Sequence, residues 1–188
     1  MFEGRWWNAP PRFSREVDAL HVETGKETDL WNNTFYGFRH LNGHVFGIEA
    51  AGDQTLTVSF LADYRNQYDQ AGAAIRVDDT AWLKCGIEFT EGSMKFSVVV
   101  TRDDQSDWSV RPYAGDPAVP VRLRLTRHAE ALRIDVWEGE AWQLARVAFL
   151  PMPEVVTWGL MACSPSGEGL AVTFSDVALG PAIEREMV

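Results

Sequence analysis

Apolar and polar residues alternate with a period of two along most of this chain. TLTVSFLADY places Leu56, Val58, Phe60 and Ala62 on one side, and QAGAAIRV does the same with Ala71, Ala73, Ile75 and Val77. AWLKCGIEF follows with Leu83, Cys85, Ile87 and Phe89, and SMKFSVVVT with Met94, Phe96, Val98 and Val100. VRLRLT, ALRIDVW and QLARVAFL continue the pattern, joined by RHAE and EGEA, and VTWGLMAC and LAVTFSDVAL flank the turn SPSGEG. Period-two alternation bounded by short polar links is the signature of half-buried strands in hairpins. The nearest helical candidate, LRLTRHAEALRIDVW, alternates too strictly for a helix and reads as two strands. SDWSVRPYAGDPAVP, with three prolines, reads as a loop or an edge strand. The pattern predicts an all-β protein, a β-sandwich or jelly roll of about a dozen strands, with residues 1–188 forming a single domain.

Composition narrows the class. Apolar residues make up 46% of the 188-residue chain and charged residues 23%, the balance of a globular protein with a substantial core. No apolar run approaches the roughly 20 residues of a membrane helix. MFEGRWWNAPPRFSREV has no basic segment leading into an apolar one, so no secretory signal is read and a cytoplasmic location is the expectation. A formal net charge of −10 repels nucleic acid and acidic membrane surfaces, so neither is expected as a partner. The arginines of VRLRLTRH alternate with apolar residues and fit an exposed strand face. Cys85, on the apolar side of its strand, reads as a small core residue, and two cysteines, Cys85 and Cys163, suggest neither a disulfide scaffold nor a zinc site.

Four blocks then carry a resemblance: TDLWNNTFYGFRHLNGHVF, YDQAGAAIRVDDTAWLKCGIEF, SVVVTRDDQSDWS and ACSPSGEGLAVTF, in that order. They resemble domain-of-unknown-function family 1349, the "regulation of enolase" family, from the Trp7-Asn8-x-Pro10 region to Phe174. The QAG-hydrophobic-R pattern before a W-x-K strand also resembles ancillary β-sandwich domains of some glycoside hydrolases. The resemblance implies a concanavalin A-like jelly-roll β-sandwich of two curved antiparallel sheets, with a concave face that binds sugars in many relatives. One fold hosts many functions, so no reaction follows from it.

The candidate chemistry lies on the strand faces opposite the apolar set. There Gln70 and Arg76, then Trp82, Lys84 and Glu88, then Thr101 would stand together, with Gly72, Ala74 and Gly86 leaving room. An aromatic ring beside planar and charged hydrogen-bonding groups suits a polyol. A solvated sheet face with a cross-strand Lys84–Glu88 or Arg76–Glu88 pair is the plainer alternative. Tyr36, His44 and Trp108 lie near turns and join the list, although His44 in LNGHVF also suits a structural histidine bonded to a loop carbonyl. The expected ligand is a carbohydrate or small polar metabolite; the rivals are a protein-interaction module acting on a metabolic enzyme and a cryptic glycosidase or lyase. No Glu-x-Asp-x-Glu strand supplies the paired carboxyls of a glucanase, and HExxH, P-loop, GxGxxG and Gly-x-Ser-x-Gly motifs are absent. Catalytic residues, a cofactor and a metal are therefore not expected, and the acidic TRDDQSD reads as a solvated turn rather than a calcium loop.

Overall fold

The computed structural model describes residues 3–185. In those residues there are sixteen strands and no helix. In chain order the strands are β1 (Arg5–Trp7), β2 (Arg12–Arg15), β3 (Ala19–Glu23), β4 (Leu30–Asn32), β5 (Arg39–Leu41), β6 (His44–Ala51), β7 (Gln54–Ala62) and β8 (Asp69–Arg76). They continue as β9 (Trp82–Thr90), β10 (Ser93–Arg102), β11 (Gln105–Pro112), β12 (Val121–His128), β13 (Ala131–Glu138), β14 (Ala141–Phe149), β15 (Val155–Cys163) and β16 (Ala171–Pro181). A front sheet runs β1-β6-β15-β8-β9-β10-β11 and a back sheet β14-β13-β12-β7-β16-β3-β2, antiparallel throughout. The architecture is a jelly-roll β-sandwich. The additional strands β1 to β5 are runs of three to five residues, too short for alternation to reveal them; β6 also escaped the alternation pattern, because its first four residues, His44 to Gly47, are all buried.

Turn chemistry fixes the hairpins. Glu91 and Gly92 both have positive φ between β9 and β10, as do Asp103 and Asp104 between β10 and β11. Two consecutive left-handed residues match the strand twist, the geometry two-residue hairpins favour. QSDWSVRP is the edge strand β11; just beyond its last residue, Pro112, Tyr113 N still donates to Met94 O at 3.1 Å, so the proline is accommodated at the edge without breaking the pairing with β10.

The alternating residues meet as expected. Ala71, Ala73, Ile75, Leu83, Cys85, Ile87, Phe96, Val98 and Val100 pack from the front sheet against Leu56, Val58, Phe60, Leu123, Leu125 and Phe174 from the back sheet. Phe89 sits at the end of β9, stacked on Tyr64 with centroids 6.3 Å apart. With one face of β8, β9 and β10 committed to the core, every other residue on them must face the opposite side. That is what places the candidate chemistry on one surface.

At the centre of that surface Gly72 and Gly86 stand opposite each other on β8 and β9. A Cβ on either one would lie 2.7 Å from the other's Cα, and Gly86 has a φ of +154°, a region open only to glycine. The pair lets the two strands meet while leaving a side-chain-free dip in the sheet face. Gly86→Ala is expected to lower unfolding free energy by at least about 2 kcal/mol in urea denaturation; an unchanged midpoint would contradict the close approach.

Candidate functional site

The front face is not open to solvent. A small hairpin, β4 paired with β5, lies across it as a roof. Its apolar side chains, Leu30 and Trp31 with Leu41 beside them, pack onto Val45, Ala74, Trp82, Val99, Met161 and Cys163. This is a second, smaller core on the outer side of the sheet. The roof is also latched by polar contacts. Asp104, in the β10–β11 turn, accepts from Asn32 Nδ2 at 2.6 Å, Asn33 Nδ2 at 2.9 Å and Arg39 Nε at 2.9 Å. Burial opposes the Asp104 charge, but these donors outweigh it and hold the carboxyl below its ordinary value. The acidic turn read from TRDDQSD is thus occupied by the hairpin's own donors.

Between roof and sheet is a cavity of about 440 Å³. Its floor is Gln70 on β8, Lys84 and Glu88 on β9, and Val99 on β10. Gln70 and Glu88 are paired across β8 and β9, and Val99 stands opposite Lys84 on one side and Trp108 on the other. The roof contributes Asp29, Trp31, Tyr36, Phe38 and His40; Tyr68, Trp108, Pro165 and Ser166 close the sides, with Glu27 at the rim.

Lys84 is 3% exposed and donates from Nζ to Asp29 Oδ1 at 2.7 Å. Asp29 sits just ahead of β4, where its Oδ1 also accepts from Leu30 N at 2.8 Å, so the pair ties floor to roof. Burial works against the Lys84 charge, yet the fields of Asp29, Cys163 and Glu88 and the hydrogen bond to Asp29 raise its pKa overall. The ammonium is a fixed cation, not a nucleophilic amine. Glu88 is 4% exposed, and burial pushes its carboxyl up despite the opposing field of Lys84 and bonds from Ser97 and Trp108. Trp108 Nε1 also donates to Ser97 Oγ at 3.0 Å, which fixes the ring beside that carboxyl.

The structure therefore brings together Gln70, Lys84, Glu88, Trp108 and Tyr36 of the residues singled out above. The other four lie elsewhere. Trp82 is 1% exposed beneath the hairpin and presents no face to a ligand; packing against Leu30 and its neighbours is its role. Thr101, fully buried, shares a 2.7 Å hydrogen bond with Ser106, whose Oγ accepts from Asn32 N, so it supports β4. Arg76 pairs with Asp79 at 2.7 Å and lies 4.4 Å from the Trp7 ring, away from the cavity. His44 is the structural histidine: Nε2 accepts from Gly25 N at 3.0 Å and Nδ1 lies 2.8 Å from Asn8 O. Burial pushes its pKa down, against the opposing effect of the Asn8 bond.

The roof residues Asp29, Phe38 and His40 escaped the sequence reading because the β4–β5 hairpin is too short to show alternation. The signal was present in the aromatic density of LWNNTFYGFRH. A larger groove of about 990 Å³ crosses the back sheet between Arg12, Phe13, Leu61 and Thr173. No buried charged group faces it, and Arg12 is spent on Glu23 at its edge. Among the described residues no cluster of His, Cys, Asp and Glu could hold a metal ion. Burial raises both thiol pKa values, that of Cys163 to about 12, so neither is a reactive nucleophile.

Fold and site together define a jelly-roll protein with a roofed, aromatic-walled cavity on its front sheet. The chain belongs to the family described as "Protein of unknown function (DUF1349)", which it matches over residues 6–182. It is 40% identical over 180 residues to "Regulation of enolase protein 1" of Saccharomyces cerevisiae, covering 95% of this chain and 90% of that protein. A crystal structure of a functionally unknown protein from Saccharomyces cerevisiae superposes with a TM-score of 0.92 at 39% identity, covering 97% and 98% of the two chains. More remote likenesses show the fold alone. The carbohydrate-binding module CBM66 from Bacillus subtilis has a TM-score of 0.59 at 12% identity over 93% of this chain and 94% of that one. The GH43 protein BlXynB from Bacillus licheniformis has a TM-score of 0.68 at 17% identity, the match covering 95% of this chain and 36% of that one.

Glu88 gives a test of the buried floor. Its folded-state pKa lies above the 4.5 of an ordinary glutamate. Its contribution to stability is therefore complete below the unfolded value and is lost as pH rises through the folded one. Glu88→Gln, neutral at every pH, is expected to raise Tm at about pH 8 and to lose that advantage at about pH 4 in scanning calorimetry. A variant less stable than its parent at about pH 8 would contradict a carboxyl that is costly to ionise.

Proposed function

We propose that the cavity binds a carbohydrate or sugar-like polar metabolite without transforming it. The observation that carries this reading is the combination of a buried Gln70–Lys84–Glu88 floor with half-exposed aromatic walls. Tyr36, Tyr68 and Trp108 are 48%, 37% and 37% exposed, so part of each residue is open to a ligand, although Tyr36 also stacks on Phe38. A pyranose offers apolar C–H faces to such rings and hydroxyls to the amide, ammonium and carboxyl of the floor. The volume lies within the range of small-molecule sites, about 300–1,000 Å³. The remote likeness to a carbohydrate-binding module agrees with this choice of ligand. Catalysis is not part of the reading. A hydrolytic pair needs two carboxyls free to act as acid and base or nucleophile, and Asp29 is committed to Lys84.

A second reading, a regulatory module that docks on another protein, draws on the hairpin tip. Phe35 is 92% exposed there with a φ of +62°, beside Tyr36 and Phe38. The name of the yeast relative points the same way. The two readings are compatible, since a ligand under the hairpin would alter what its tip presents.

Calorimetric titration against a panel of neutral, amino, acidic and phosphorylated sugars tests the binding reading. At least one class is expected to bind, and Trp108→Ala or Gln70→Ala to weaken it by about tenfold or more while Tm stays close to the parent's. Trp82→Ala is expected instead to cost about 3–5 kcal/mol of stability. A panel without any binder, or binding indifferent to Trp108 and Gln70, would sink the proposal.

A further inference from the structure

Beside the first cavity lies a second, of about 330 Å³, and the two share Tyr36, Tyr68 and Trp108. We propose that they are adjoining subsites for one linear oligosaccharide, so that the ligand spans at least two sugar units. The proposal rests on the carbohydrate reading above and extends it.

The three shared residues are all aromatic, so the walls of the first cavity also line the second. Each is between one-third and one-half exposed and borders both cavities, so chain units on either side can meet an aromatic face. The floor is continuous as well. Lys95 on β10 stands directly opposite Glu88 on β9, so the row of polar groups that begins with Gln70 in the first cavity runs on into the second.

The second cavity also has an uncommitted polar group. Arg111 is engaged with Glu138 at 2.9 Å, and Gln67 with Thr90 Oγ1 at 2.6 Å and Glu91 N at 3.0 Å. Lys95 has no carboxylate partner among the described residues, which leaves its three N–H donors for ligand hydroxyls. Each space by itself falls in the range of small-ligand sites, about 300–1,000 Å³. A single monosaccharide would leave one of them empty. Hydroxyl-rich units repeated at a fixed spacing, each with an apolar face, are the ligand chemistry that uses both.

The test is chain length. Glucose, cellobiose and cellotriose, maltose and maltotriose, and xylose, xylobiose and xylotriose are titrated calorimetrically into the full chain. In the recognised series the dimer is expected to bind about tenfold tighter than the monomer, the effect of one added aromatic contact with its hydrogen bonds. Val110 lines only the second cavity of the two and is 44% exposed on the edge strand β11, so Val110→Trp fills that space without touching the core. That variant is expected to abolish the gain from monomer to dimer and leave monomer affinity unchanged, and Lys95→Ala to reduce the gain. Equal affinity for monomer and dimer, or a Val110→Trp loss shared equally by both, overturns the two-subsite proposal and leaves the carbohydrate reading standing. Absence of binding by every member of these series overturns the two-subsite proposal, and the carbohydrate reading falls with it when the amino, acidic and phosphorylated sugars also fail to bind.

Discussion

A buried ammonium group cannot be left alone in a protein interior, and the front face of this molecule is organised by where Lys84 finds its partner. The partner is Asp29, 2.7 Å away, at the root of a hairpin that belongs to neither large sheet. Removing one member of such a pair strands the other and costs about 3–5 kcal/mol. The pair therefore commits the hairpin to lie across the sheet rather than project into solvent. Leu30 and Trp31 then settle onto Trp82, Val99 and Met161, and Asp104 fastens the far end through Asn32, Asn33 and Arg39. The cavity is what remains between the two attachments.

This arrangement explains a division of labour along β9. Trp82, Lys84 and Glu88 point to the same side, yet they meet three different surroundings. Trp82 lies under the apolar part of the roof and is structural. Lys84 bridges floor and roof. Glu88, past the glycine dip at Gly86, reaches the cavity floor, where its burial is tolerated rather than favoured. A carboxyl held where ionisation is costly, with aromatic rings above it, is a feature that stability alone would remove.

The fold was legible because strand alternation is a local signal. Leu83, Cys85 and Ile87 could be assigned to a core from spacing alone, and their partners on β8 and β10 followed by the same rule. The surface they leave behind was legible only in part. Gln70, Lys84 and Glu88 were placed correctly on one face, but spacing says nothing about what covers a face. The hairpin that buries Trp82 and supplies Asp29 is two three-residue strands joined by a loop with positive φ at Asn33, Phe35 and Gly37. Its position depends on contacts more than 50 residues away in sequence, such as Asp29 with Lys84 and Asn32 with Asp104. No short-range pattern carries that information. The same limit explains Thr101, whose hydroxyl serves the roof through Ser106 rather than a ligand.

The eight tryptophans provide the most direct check that ligand enters beneath the hairpin. Their indole N–H signals can be followed by ¹⁵N-resolved NMR during titration with a mixture of glucan- and xylan-derived oligosaccharides. Trp31 and Trp108 line the cavity, whereas Trp137 and Trp142 lie on the back sheet, packed edge-on at 5.4 Å and covered by Arg122. Saturable shifts at Trp31 and Trp108, with Trp137 and Trp142 unmoved, are the expected result. Shifts confined to Trp137 and Trp142 would place the ligand on the opposite face and contradict the account.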